Sequence, residues 1–198
     1  MVTIVPLQKE DCADLAQAHY DNFSSSYLHK RWVSMLKIYY EAIASLPGGA
    51  CGYVAREEGK FAGYVCGVWD GKTLRKALLK RWFDLALAAL RYFLNEPEAI
   101  PSLFGRLVGN QRSKRPSVYG YELRPIIVME GYRGKHIADQ LVERLLEDAR
   151  QRGFSEIFLF AELENLPANK FYIRLGFNLV RDVEINGNVY KQYRYNLS

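Results

Sequence analysis

An α/β or α+β fold around a mixed sheet is the class this sequence predicts, on three observations. Strand-like runs recur towards both ends of the chain, and helical apolar spacing fills the stretches between them. A β-α-β-α succession occupies residues 119–175. With 49% apolar and 25% charged residues over 198 positions, the composition suits a globular domain with a sizeable core.

In chain order, Thr3 to Leu7 is a short strand-like run. Cys12, Leu15, Ala16 and His19 then follow at helical spacing, with Asp11 as the expected N-cap. Asn22 to Leu28 reads as a loop. A second helix is expected from Lys30 to Leu46, where Trp32, Met35, Leu36, Tyr39 and Ile43 recur every three or four residues, and it stops at Pro47-Gly48-Gly49. Gly52–Arg56 and Lys60–Trp69 form a hairpin around Glu57-Glu58-Gly59. Lys72–Leu94 is expected as one helix, with a shorter one near Pro97–Val108 and a basic polar stretch at Asn110–Ser117. The whole of 72–117 reads as a helical excursion from the sheet. Tyr119–Val128 is a strand, Lys135–Gly153 a strong helix, Ile157–Ala161 an apolar strand, and Leu166–Leu175 a helix with Pro167 in its first turn. Val180–Tyr195 alternates as two strands around Asn186-Gly187. A single domain over 1–198 is expected.

Several classes of function are disfavoured. The opening MVTIVPLQKEDCADL lacks signal-peptide architecture, and no stretch offers about 18 uninterrupted apolar residues for a spanning helix. Cys12, Cys51 and Cys66 are odd in number and lack metal-ligand spacing, so they read as reduced thiols of a cytoplasmic protein without a metal site. His19 and His29 have no partners at ligand spacing and receive no role. The net charge is +5, but residues 72–118 hold ten Lys/Arg against three acids, a local +7 that leaves −2 elsewhere. No recognised module accompanies that charge, so nucleic acid is not an expected partner.

The chemistry concentrates at Gly131–His136, where a strand turns into a helix. The first N–H groups of a helix lack intrahelical partners, and the macrodipole places positive charge there. Arg133 and Lys135 add two cations, a combination that suits a pyrophosphate. The competing reading is a glycine turn with two solvated cations.

Arg133-Gly134-Lys135-His136-Ile137-Ala138 resembles the signature Arg/Gln-x-x-Gly-x-Gly/Ala of the GNAT superfamily of acyl-CoA-dependent N-acyltransferases, with His136 replacing the first required glycine. The approach Val128-Met129-Glu130-Gly131-Tyr132 also matches, except for Glu130 where proline is frequent. A second motif lies about 30 residues downstream, Asn165-x-x-Ala168-x-x-x-Tyr172-x-x-x-Gly176-Phe177. The resemblance covers 119–180 closely, the first strand and helix loosely, and 72–117 not at all.

The resemblance implies a mixed, mostly antiparallel sheet flanked by helices, with splayed fourth and fifth strands and a helical insertion between the third and fourth. It implies acetyl-CoA as cosubstrate and a small-molecule primary amine as acceptor. Backbone groups of Ile126, Ile127 and Val128 would hold the pantetheine, and the turn of Arg133, Gly134, Lys135, His136, Ile137 and Ala138 the pyrophosphate. Asn165 and Ala168 would meet the pantetheine arm, and Tyr172 would donate a proton to the departing thiolate. Glu122 stands eleven residues before Arg133, where some relatives keep a general base, and burial there would raise a carboxyl pKa. Glu162 and Glu164 are reserves, and a water relay is the other route. His136 either points to solvent or contacts a phosphate. A non-catalytic acyl-CoA-binding or membrane-surface module is the opposing class.

For the insertion three readings stand open. The first is burial or a homodimer contact, because apolar residues run right around Leu85–Leu90. The second is steering of an anionic acceptor such as a nucleotide-linked amino sugar. The third is peripheral membrane contact through 74–94.

Overall fold

Hydrophobic alternation in this computed structural model builds a seven-stranded sheet, ordered β1-β2-β3-β4-β5-β7-β6 and mostly antiparallel. The structure describes residues 1–22, 33–95, 120–185 and 187–197. Most of the loop expected at 22–28, the start of the second helix at 30–32, the second helix of the insertion, the basic stretch 110–117, Tyr119 and Asn186 lie outside them. The chain falls into two compact units, residues 1–97 with 124–145 and residues 98–123 with 146–198.

In the first unit β1 (Val2–Pro6), β2 (Ala50–Glu57) and β3 (Lys60–Val68) form an antiparallel meander. A two-residue turn joins β2 to β3, with positive φ at both Glu58 (52°) and Gly59 (79°). That geometry matches the twist of the flanking strands. Helices α1 (Cys12–Asn22) and α2 (Val33–Ala44) bury Leu15, Ala16, Leu36, Tyr40 and Ile43 in one cluster with Val54, Tyr64 and Cys66.

Asp11 differs from its expected role. It ends a 3-10 turn (Lys9–Asp11) whose N-cap is Gln8, and its carboxylate accepts from Gln8 N–H at 3.0 Å and pairs with Arg56. A buried carboxylate needs such partners, and facing back to Gln8 and Arg56 supplies them.

The expected helix 72–94 is two helices, α3 (Gly71–Lys80) and α4 (Trp82–Asn95). Asp70 caps α3 by accepting from Thr73 N–H at 2.9 Å. Arg81 breaks the run at φ −99°, ψ 25°, and its guanidinium binds Glu41 of α2 at 2.6 Å and Asp84 at 3.1 Å. No glycine or proline marks this break; an ion pair to another element accompanies it. The burial expected around α4 holds on one side only: Leu85, Ala88 and Ala89 are half-buried, while Leu87 and Leu90 are exposed.

Strand β4 (Tyr121–Val128) pairs in parallel with β5 (Glu156–Glu162) at Tyr121↔Ile157 and Glu122↔Phe158, and the pairing stops there. Pro125 follows, without an N–H to offer a ladder. A 3-10 turn, Glu130–Tyr132, leads to α5 (Ile137–Gln151), which begins two residues after the expected start at Lys135.

In the second unit, β7 (Asn188–Asn196) pairs antiparallel with both β5 and β6 (Asn178–Ile185), and α6 (Leu166–Arg174) follows β5. Tyr121 and Asp148 are both buried, and the phenol donates to the carboxylate at 2.9 Å. Arg152 neutralises the same carboxylate at 2.6 Å.

Candidate active site

The turn before α5 is shaped by backbone conformation. Tyr132 N–H donates to Met129 O at 2.9 Å and Arg133 N–H to Glu130 O at 3.2 Å, closing the 3-10 turn. Gly134 and His136 then adopt left-handed φ values of 78° and 58°, bracketing Lys135. Backbone of this kind curls successive N–H groups towards an anion. Gln140 N–H is the first to find the helix, on His136 O at 3.2 Å. Among the described residues, the N–H groups of Gly134, Lys135, His136, Ile137 and Ala138 reach no backbone carbonyl. Five unclaimed donors thus meet the positive end of a fifteen-residue helix.

The side chains of the turn are more engaged than two solvated cations. Arg133 donates through Nη2 to Asn22 Oδ1 at 2.8 Å and through Nε to Val128 O at 3.2 Å. Lys135 Nζ donates to Glu57 Oε2 at 2.7 Å and lies 5.3 Å above the Tyr132 ring. The bond to Glu57 holds the Lys135 ammonium above its ordinary value. The His136 side chain is 78% exposed, with Nδ1 3.7 Å from Asp139 Oδ2.

Leading into the turn, Ile127 is buried and Ile126 and Val128 are half-buried. The chain runs close to β3 here. Met129 N–H donates to Ala62 O at 2.9 Å, and a Cβ on Gly63 would sit 2.5 Å from Ile127 O. Only glycine permits that approach.

In the second unit, Glu122 is 8% exposed and faces Phe158 across the β4–β5 register. Of the reserves, Glu162 is half-buried and Glu164 exposed. Asn165 caps α6, accepting from Ala168 N–H at 3.2 Å, with Pro167 in the first turn. Gly176, at φ 92°, closes the other end, so that Phe177 N–H reaches back to Tyr172 O at 3.0 Å. The Phe177 ring then packs on Tyr172 with centroids 5.7 Å apart. The spacing Tyr-x-x-x-Gly-Phe is therefore a helix stop that carries one aromatic back onto another.

Tyr172 is buried against Phe171, Phe177 and Tyr193, and its hydroxyl makes no hydrogen bond among the described residues. Burial pushes its phenol well above the usual tyrosine value, so the proton stays on.

Two groups escaped the sequence reading. Asn169, 5% exposed, donates to the carbonyls of Glu162, Leu163 and Asn165 at 2.9, 3.2 and 2.8 Å, and accepts from Tyr193 at 2.9 Å. It ties the end of β5 to the start of α6. Its spacing four after Asn165 was the available signal, but burial gives it this role. His19, without a partner at ligand spacing in the sequence, has its Nδ1 2.6 Å from the Tyr40 hydroxyl, itself 2.6 Å from that of Tyr64.

A family model described as the acetyltransferase (GNAT) family matches residues 12–177 of this chain. The chain belongs to that family. The match reaches well beyond the two motifs and takes in the insertion. Mycothiol acetyltransferase of Corynebacterium aurimucosum is 26% identical over 117 residues, 59% of this chain and 38% of the relative. N-alpha-acetyltransferase MAK3 of Arabidopsis thaliana is 36% identical over 73 residues, 37% of this chain and 38% of the relative. The matches thus span less than half the length of each of these curated relatives. Among solved structures, the acetyltransferase yncA of Salmonella typhimurium, held with acetyl-CoA, aligns with a TM-score of 0.62 and 17% identity over 100% of this chain and 94% of that one. The GNAT fold is thereby shown. No helix among the described residues is long and apolar enough to cross a membrane.

Proposed function

We propose that this chain transfers an acetyl group from acetyl-CoA to a primary amine by direct attack. The observation that carries the reading is the run of five unclaimed N–H groups, Gly134–Ala138, at the start of α5 in a GNAT chain. They suit a pyrophosphate, and an anion bound there competes with Glu57 for Lys135. Ile126–Val128 would hold the pantetheine by its amides, and Asn165 would meet the same arm through the amide atoms its cap leaves over.

In this reading the neutral amine nitrogen attacks the thioester carbon, and the C–S bond breaks as the tetrahedral adduct collapses. Tyr172 donates its proton to the departing sulfur. Burial keeps the phenol protonated, and the same burial raises the basicity of a thiolate formed beside it, which narrows the gap between them. Glu122 takes the amine's proton, directly or through water, so the products are an amide and CoA thiol. The two curated relatives carry different names, a mycothiol acetyltransferase and an N-alpha-acetyltransferase. Likeness alone therefore does not choose the amine. An anionic acceptor fits the cations of the insertion, and a single domain over 1–198 is the organisation that goes with this reading.

The test is CoA release with a panel of amines, alongside calorimetric binding of acetyl-CoA, in wild type and Tyr172→Phe. Tyr172→Phe is expected to bind acetyl-CoA within a few-fold of wild type and to lose about 10²-fold in kcat. Tight binding with no turnover on any amine would leave a non-catalytic acyl-CoA module instead. Glu122→Gln is expected to lower turnover most at low pH, and an unchanged pH–rate profile removes Glu122 as the base.

A further inference from the structure

Helices α3 and α4 turn one side to α2, where Arg81 is tied to Glu41 and where Leu74 is buried and Ala77 and Leu78 are half-buried. Their other side is open among the described residues. At about 100° per residue, Ala86, Leu90, Phe83, Leu94 and Leu87 fall within one arc of α4, and all five are exposed. Trp82, 65% exposed, adjoins that arc at the junction, with its ring 5.9 Å from Phe83. The corresponding arc of α3 carries Arg75, Leu79, Lys72, Lys76 and Lys80, again all exposed. Arg75, Lys76 and Lys80 form no ion pair among the described residues, while Lys72 lies beside the carboxylate of the Asp70 cap. Asp84 is the sole acid on the two helices, and Arg81 neutralises it.

We infer that this face docks the protein on an anionic lipid surface. The apolar arc of α4 enters the boundary between headgroups and acyl chains, Trp82 and Phe83 sit at headgroup level, and the α3 cations meet lipid phosphates. Charge complementarity selects this occupant. A second copy of the chain would set the same four cations against four more, with only Asp70 and Asp84, both already engaged, to answer them. A bilayer offers mobile phosphates beside hydrocarbon, which suits long lysine stems that no partner fixes. The inference is independent of the proposed acetyl transfer, since none of these residues belongs to the candidate active site, but it gives the α3 cations a lipid phosphate in place of an anionic acceptor.

The experiment is co-sedimentation of the intact chain with vesicles of phosphatidylcholine alone and of phosphatidylcholine with phosphatidylglycerol. Binding is expected to the anionic vesicles, about tenfold or more above the neutral ones, and to fall steeply with added salt. Leu90→Asp is expected to cut it at least about tenfold, and Lys76→Gln and Lys80→Gln about fivefold each. All three sites are exposed, so melting temperature should hold and separates lost docking from lost folding. Absence of binding to anionic vesicles at low salt overturns the inference. So does a self-association in ultracentrifugation that Leu90→Asp abolishes, which would make the face a contact between copies. Retention of CoA release in Leu90→Asp keeps this result distinct from the fate of the proposed reaction.

Discussion

Lowering the pH from 7 to 5 is expected to cost this protein about 2 kcal/mol through one side chain, His19. Its imidazole sits on α1 beside the Tyr40–Tyr64 hydroxyl pair, and burial pushes its pKa down from 6.5 to about 4. The sign follows from proton uptake. The unfolded chain takes its proton near the ordinary value while the folded chain refuses it until about pH 4, so between those limits the unfolded state binds more protons. Stability is therefore fully present above the ordinary histidine value and is lost as pH falls through the window. At about 1.4 kcal/mol per pH unit, the loss reaches roughly 2 kcal/mol at pH 5 and roughly 3 kcal/mol near pH 4. The assay is urea unfolding of wild type and His19→Gln across this range, since the difference between them cancels every other titrating group that they share. That difference is expected to narrow, with a slope of about 1.4 kcal/mol per unit on the acid side. A pH-independent difference would show that His19 titrates alike in both states, and the half-buried, neutral imidazole would be wrong.

Two further substitutions probe the candidate site. His136→Val is expected to cost about 1–3 kcal/mol, because a β-branched residue tolerates the left-handed φ of 58° poorly. His136→Gly is expected to stay within about 1 kcal/mol of wild type, since relief of that strain is offset by greater freedom in the unfolded chain. Thermal melts decide both, and a neutral valine would rule out the left-handed conformation. Tyr193→Phe leaves the Asn169 amide oxygen without its phenol donor, at an expected cost of about 1–3 kcal/mol by urea titration. An unchanged midpoint would mean that Asn169 does not hold the start of α6 in the way described.

Much of this was legible beforehand, for identifiable reasons. Strand alternation, the Glu58-Gly59 turn and the helix expected over Lys135–Gly153 are local patterns, and each reappears within a residue or two. The second motif was readable because its residues are also local devices: Asn165 caps a helix, and Gly176 stops one. Partnership across the chain is what local spacing does not reveal. Asp11 looked like a cap until Arg56, 45 residues away, claimed it. Helix 72–94 looked continuous until Arg81 reached Glu41.

The sequence by itself determined the family, the element order and the place of the turn, because these follow from spacing within one segment. The tertiary structure decided which side chains are spoken for. It placed half-buried His19 and buried Asn169 among polar partners, tied Lys135 to Glu57, and left the outer arcs of α3 and α4 open, since burial and pairing depend on residues far apart in the chain. It also changed the meaning of His136. The glycine that the signature asks for there answers a left-handed φ as much as a ligand's approach, and a backbone angle of that kind is set by how β4 hands the chain to α5.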